Sequence, residues 1–212
     1  NVSDVLSTFE AMGFLTQDGR TGKFQLGLKM LRFAHTISSN MGFHQYVFPV
    51  MQETADALGE TVYFGVPECD EVVYLDGAFP AQSVRNVLVR SMAGDHAPLY
   101  CTGIGKAMLS RMPREQWDKR VPDSPARFTE YTLVGRDEIL KELERTRIRG
   151  YSVDNMEHEF GVKCVGVPVL NQYGQLVAGM SVSGPSLRFD EARMEYMGRL
   201  LMEKARQLSQ IL

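Results

Sequence analysis

Cys101-Thr102-Gly103-Ile104-Gly105-Lys106, a glycine-bearing turn opening an apolar helical run, and Val182-Ser183-Gly184-Pro185, a second turn ending an apolar strand, decide how this chain reads. Both stand at element ends, where backbone amides and small side chains can line a small-molecule pocket, and neither brings an obvious catalytic apparatus. In the first turn Thr102 is placed to cap the helix, and the amides of Thr102-Gly103-Ile104-Gly105 can accept a carboxylate at the positive end of the helix dipole. The Gly-x-Gly pattern lacks the third glycine of a dinucleotide fingerprint, and Lys106 lacks the spacing of a phosphate loop, so a purely structural turn is the competing reading. In the second, Ser181 and Ser183 lie two residues apart and face one side of a strand, offering two hydroxyls to a ligand. Local hydrogen bonding at a strand end and at the Gly184-Pro185 turn accounts for them equally well. Asp154, ending the strand that starts at Tyr151, and Cys164, opening the strand after the polar stretch 155–163, add an acceptor and a small polarizable wall, although Cys164 also reads as core packing.

Working outward, residues 45–58 read as a helix, and 60–66 and 71–76 as a hairpin around Pro67 to Asp70. Residues 84–89 read as a further strand. A helix over 136–149, with Ile139, Leu140, Leu143 and Ile148 as its apolar stripe, stops at Gly150. Strands at 151–154, 162–170 and 175–183 precede a final helix from Asp190, whose Met194, Met197, Leu200, Leu201 and Leu208 pack on the sheet or form an interface. The order is mixed α/β without the strand-helix alternation of a doubly wound nucleotide fold. Ahead of it, Val5, Leu6, Phe9 and Met12 predict a helix ending at Gly13, and Asp18-Gly19 lies between two short strands. Residues 28–39 form a connecting helix that breaks at Asn40-Met41-Gly42. The resulting division is 1–27, 28–42 and 43–212.

The 212 residues, 44% of them hydrophobic, support one core of roughly 150–180 residues and a small appendage. No apolar run is long enough to span a membrane, and the first residues lack signal-peptide character, so a cytoplasmic protein is expected. The net charge of −3 gives no bulk attraction to nucleic acid, though it leaves room for a local basic surface. Cys69, Cys101 and Cys164 have neither disulfide-scaffold nor zinc-ribbon spacing. A thiol-imidazole pair among His96, Cys101, His158 and Cys164 is a weak enzymatic alternative, as is zinc held by His96, Asp154 and Cys164; the expectation is no metal and no cofactor.

The chain resembles the IclR family of bacterial transcription regulators along essentially its whole length. The pieces that carry the resemblance are Gly13-Phe14-Leu15 with Phe24-Gln25-Leu26-Gly27, Pro98 through Ala107, Gly150-Tyr151-Ser152-Val153-Asp154, Gly161 through Val169, and Ser181 through Pro185. The resemblance implies an α/β (α+β) fold: a GAF-like effector domain with a curved, mainly antiparallel sheet flanked by helices, preceded by a partial winged helix-turn-helix and a linker helix. It implies a regulator of a carbon-catabolic operon with no enzymatic activity, its partners being operator DNA, a small organic acid or sugar acid and further copies of itself as a dimer or tetramer. The finer similarity is to regulators sensing 2-keto-3-deoxygluconate. Carried onto this sequence, ligand contacts fall on Thr102, Gly103, Asp154, Cys164, Ser181 and Ser183, with Leu88, Leu99 and Met108 as an apolar wall. Ser3, Asp4, Ser7, Thr8, Arg20 and Lys23 are the DNA-contact candidates. An acid-binding enzyme on a GAF-like fold and a ligand-free dimerisation domain are the alternatives.

Overall fold

The structure, a computed structural model, describes residues 1–40, 43–81 and 92–212. The expected strand over 84–89, Leu88 on it and the Met41-Gly42 break lie outside the described residues. The chain divides into two compact units, Asn1–Gln45 and Tyr46–Leu212.

In the first unit, helix α1 (Val2–Ala11) ends where Gly13 adopts a left-handed φ of 76°. The antiparallel hairpin β1 (Leu15–Gln17) and β2 (Phe24–Leu26) follows, and then α2 (Met30–Asn40). The Asp18 carboxylate closes the hairpin turn by accepting from the amides of Arg20 and Thr21, both at 2.8 Å. Those bonds favour its charged form and hold its pKa below the usual carboxylate range. Phe14 forms a small aromatic centre, with Phe9 at 6.1 Å, Phe33 at 5.2 Å and the Lys29 ammonium over its ring. No residue of α1 is buried, and Val2, Leu28 and Leu31 stand in solvent.

The second unit opens with α3 (Phe48–Leu58), which Gly59 stops at a φ of 68°. Then come β3 (Thr61–Glu68), β4 (Glu71–Ala78), β5 (His96–Pro98), α4 (Gly103–Arg111), α5 (Arg114–Arg120), α6 (Arg136–Arg149), β6 (Ser152–Asn155), β7 (Val162–Leu170), β8 (Leu176–Pro185), a 3-10 turn and α7 (Glu191–Ser209). The six strands pair antiparallel throughout in the order β5-β4-β3-β8-β7-β6. The helix over 136–149 and the strand over 162–170 fall where the periodicity puts them. The second glycine turn does not: Ser183 and Gly184 are strand residues paired with Cys164 and Lys163, because β8 continues to Pro185. Ile148 is exposed, since the buried stripe of α6 runs through Ile139, Leu143 and Thr146 and leaves the last turn outside. The sequence reading omits α5, whose buried Trp117 donates from Nε1 to the Leu109 carbonyl at 2.6 Å under the Arg147 guanidinium.

Two cores result. Alternate residues of β7 face opposite sides of the sheet. Cys164 and Gly166 turn towards α4, while Val165, Val167 and Val169 face the side where α7 packs with Met197, Leu201 and Leu208 buried. Met197, Leu201 and Leu208 therefore pack on their own sheet, while Met194 and Leu200 are half-buried. On the other side α4 sits close to the backbone. A side-chain carbon at Gly166 would lie 2.5 Å from the Gly103 carbonyl carbon and 2.8 Å from the Ile104 nitrogen. Glu60, buried just before β3, ties α7 back to the sheet: Arg188 donates to it at 2.7 and 2.5 Å and Arg193 at 3.0 Å.

Gly166→Ala should therefore cost about 1–3 kcal/mol or more of stability, because backbone on the facing helix cannot yield as a flexible side chain would. Gly19→Ala, which meets nothing within 4 Å, should stay within about 0.5 kcal/mol of the parent. Denaturant unfolding of both variants checks the contrast.

Candidate functional site

The strand register builds the site. Asp154 on β6 pairs with Cys164 on β7, Cys164 with Ser183 on β8, and Ser183 with Thr61 on β3, so the four form one row across the sheet. Two residues along on the same face, a parallel row runs Ser152, Gly166, Ser181 and Tyr63. The N-terminus of α4 rests on both rows. A side-chain carbon at Gly103 would lie 2.9 Å from Cys164 Cβ, and the Ser152 hydroxyl donates to the Gly103 carbonyl.

A cavity of about 150 Å³ opens between this helix end and the sheet. Its floor is Thr102, Gly103 and Ile104, its walls are Asp154, Cys164, Ser181 and Ser183, and Tyr63, Tyr74 and Met92 close one side. His158 and Glu159 from the loop after β6 join Glu60 and Arg188 around the rest. Thr102 caps the helix, its Oγ1 accepting from the Gly105 amide at 3.1 Å and donating to the Pro98 carbonyl at 2.9 Å. The amides of Gly103 and Ile104 belong to the first turn and have no carbonyl within the helix to bond. They give the cavity a positive end suited to an anion.

Burial dominates the electrostatics of the walls. It pushes the Asp154 carboxyl up to about 7; neighbouring Glu157 adds to the rise, while Lys106 and the backbone amide of Glu157, donating to Asp154 at 2.7 Å, oppose it. The Cys164 thiol is pushed well above its ordinary range by burial and by Asp154, and it accepts a hydrogen bond from the Ser183 hydroxyl at 3.1 Å. Cys101 is likewise raised by burial, so both thiols are protonated and neither is an activated nucleophile. Burial raises Tyr63 to about 12 and lowers His158, leaving it neutral.

Of the residues expected to bind ligand, Thr102, Gly103, Asp154, Cys164, Ser181 and Ser183 are brought to one cavity. Leu99 and Met108 are not: both are fully buried in the core under α4, because Met108 lies one helical turn beyond Ile104 and away from the helix mouth. The apolar wall is instead Tyr63, Tyr74, Met92 and Ile104. Inward alternation along the two hairpin strands is the signal that points to the tyrosines. Glu60 and Arg188 join through contacts between distant segments, for which the sequence holds no local sign. His96 does not join Asp154 and Cys164, since it sits on β5 beside Glu71 at 3.3 Å, and no group of three or more candidate metal ligands occurs among the described residues. The candidate DNA residues Ser3, Asp4, Ser7 and Thr8 lie along α1, and Arg20 and Lys23 on the hairpin turn, all of them exposed. No helix among the described residues is long and apolar enough to cross a membrane.

Residues 35–210 match the family model described as the C-terminal domain of the bacterial transcriptional regulator IclR. The HTH-type transcriptional regulator KdgR of Escherichia coli is 32% identical over 206 residues, covering 96% of this chain and 77% of that protein. The HTH-type transcriptional repressor AllR of E. coli is 31% identical over 206 residues, covering 97% and 75%. The crystal structure of Thermotoga maritima IclR superposes with a TM-score of 0.80 at 29% identity over 99% of this chain and 85% of that one.

Two outcomes follow from the buried acid and the thiols. An Asp154 that keeps its proton to about pH 7 in the folded chain but releases it near pH 4 when unfolded makes stability fall as pH rises between those values. Asp154→Asn should therefore gain on the parent from pH 5 to pH 8 in thermal unfolding. At pH 8 a thiol reagent should find one fast cysteine per chain, the exposed Cys69, with Cys101 and Cys164 slow.

Proposed function

The chain belongs to the IclR family of ligand-responsive, DNA-binding transcriptional regulators, and on that premise we propose that the cavity under α4 captures a small organic acid or sugar acid as effector. The observation that carries this reading is the convergence of the α4 amides with the Asp154-Cys164-Ser183 row and Ser181 on one cavity of about 150 Å³. The amides and serines donate to a carboxylate. Asp154, Glu159 and the tyrosine hydroxyls supply the mixed donors and acceptors that a polyhydroxylated carbon skeleton needs. The two raised thiols and the neutral His158 make a poor nucleophilic centre, which weighs against the enzymatic alternative.

The division into a winged-helix portion over 1–27, a linker over 28–42 and an effector domain over 43–212 fits this role. In it, α1 enters a DNA groove through Ser3, Asp4, Ser7 and Thr8, while Arg20 and Lys23 on the hairpin meet phosphates. The exposed apolar residues of α1 and α2 suit association of copies as a dimer or tetramer. Control of an operon, in the manner of a repressor such as AllR, then requires the effector to bind the DNA-competent and DNA-released states with different affinity. The relation to KdgR makes 2-keto-3-deoxygluconate the first acid to try.

Native mass spectrometry and calorimetry with that acid and a panel of keto acids and sugar acids should show one saturable site per chain and no turnover. Ser181→Ala and Ser183→Ala should each weaken binding about tenfold or more, as expected for the loss of a hydrogen bond to a charged group. Failure of every acid to bind the folded chain would favour a ligand-free dimerisation domain.

A further inference from the structure

Lys106 stands in the middle of the helix whose first amides face the cavity, and its side chain is fully buried. Its ammonium bonds Glu157 Oε1, and the other carboxylate oxygen of Glu157 has no partner. Asp154, also buried, reaches the same neighbourhood through the Glu157 amide and the field of Lys106. The groups that face Asp154 are Lys106 and Cys101 from α4 and the turn before it, Tyr74 from β4, Cys164 from β7, and Glu157 and His158 from the loop after β6. Glu142 of α6 acts on Glu157 but is itself paired with Arg145 and Arg149. Burial keeps the two thiols and Tyr74 protonated and His158 neutral. Lys106 is therefore bonded to Glu157, and its charge reaches the buried Asp154 carboxyl without a bond to it.

We propose that Lys106 is the positioning residue that sets the proton balance of the effector cavity: bonded to Glu157 and leaving Asp154 without a cation of its own, it makes an anionic effector enter together with one proton, which Asp154 keeps as a hydroxyl turned to the effector. This inference rests on the effector reading and deepens it. An acid seated on the α4 amides brings a negative charge into a small cavity that already holds the Asp154 carboxylate, and like charges at such range in a low dielectric do not coexist. With Lys106 committed to Glu157, the proton comes from solvent and settles on Asp154.

Lys106 is thus a positioning residue whose effect is read as a proton count. Calorimetry of 2-keto-3-deoxygluconate and pyruvate on the full chain, in buffers of different ionisation enthalpy, should show close to no proton uptake at pH 6, about half a proton at pH 7 and about one at pH 8, with Kd rising towards tenfold per pH unit above that midpoint. Glu157→Gln leaves Lys106 to Asp154 alone and should move the midpoint down by about a unit or more, whereas Lys106→Met should move it up. Carboxyl-carbon NMR of Asp154, assigned with Asp154→Asn, reads the same midpoint in unliganded protein should Lys106→Met fail to fold. An Asp154 that stays charged from pH 6 to pH 8, or binding with equal proton uptake at both, overturns this inference alone. Absence of binding by either acid and by the wider panel overturns the effector reading and this inference with it.

Discussion

The bare contact between the first turn of α4 and the middle of β7 governs the effector unit. With no side chain at Gly103 or Gly166, the helix end settles against strand backbone, and Ser152 ties its first carbonyl to β6. That seat sets the first turn of α4 over Cys164 and the residues paired with it. A bulkier pair would lift the helix, widen the cavity and separate its donors from the Asp154 row. Close packing of a helix on a sheet is ordinarily mediated by interleaved side chains. Here its omission at one spot converts a packing surface into a site.

Charge is distributed around that seat in two unlike ways. Glu60 is buried yet answered by two arginines, Arg188 and Arg193, and this clamp joins the start of β3 to the start of α7 with its hydrogen-bonding capacity largely filled. Under the cavity the balance is reversed, with Lys106 bonded to Glu157, the buried Asp154 held by the Glu157 amide, and one Glu157 carboxylate oxygen left without a partner. A cluster of that kind is costly to bury and adds little to stability. Its position one helical turn below the proposed anion seat gives the cost a functional counterpart. The loop that carries Glu157 is itself held from outside, Thr129 and Thr132 donating to the carbonyls of Met156 and Glu157 at 2.7 and 2.6 Å.

The first unit follows different physics. Its aromatic centre at Phe14 is too small to bury the faces of α1 and α2, and its form is set by turn chemistry: Gly13 beyond the helix, Asp18 in the hairpin and Gly22 at a φ of 69°. Such features are local, and they read directly from the sequence.

How far the sequence reaches divides along the same line. The caps at Thr102 and Asp190, the stop at Gly150, the bounds of α6 and β7 and the shared facing of Ser181 and Ser183 are set within a few residues by propensity and period, so the chain itself determines them. That Thr102, Gly103, Asp154, Cys164, Ser181 and Ser183 could line one pocket is suggested by their place at element ends, and the resemblance gives them ligand contacts, but residues so far apart have no spacing that brings them together. What only the tertiary structure decided is strand register and burial. Register extended β8 through Gly184 and put Asp154 beside Cys164. Burial withdrew Leu99 and Met108 into the core, set Tyr63 and Tyr74 in their place, and joined Lys106 to Glu157. Those outcomes depend on which distant segments share a layer, a long-range free-energy balance that no local window of the chain contains.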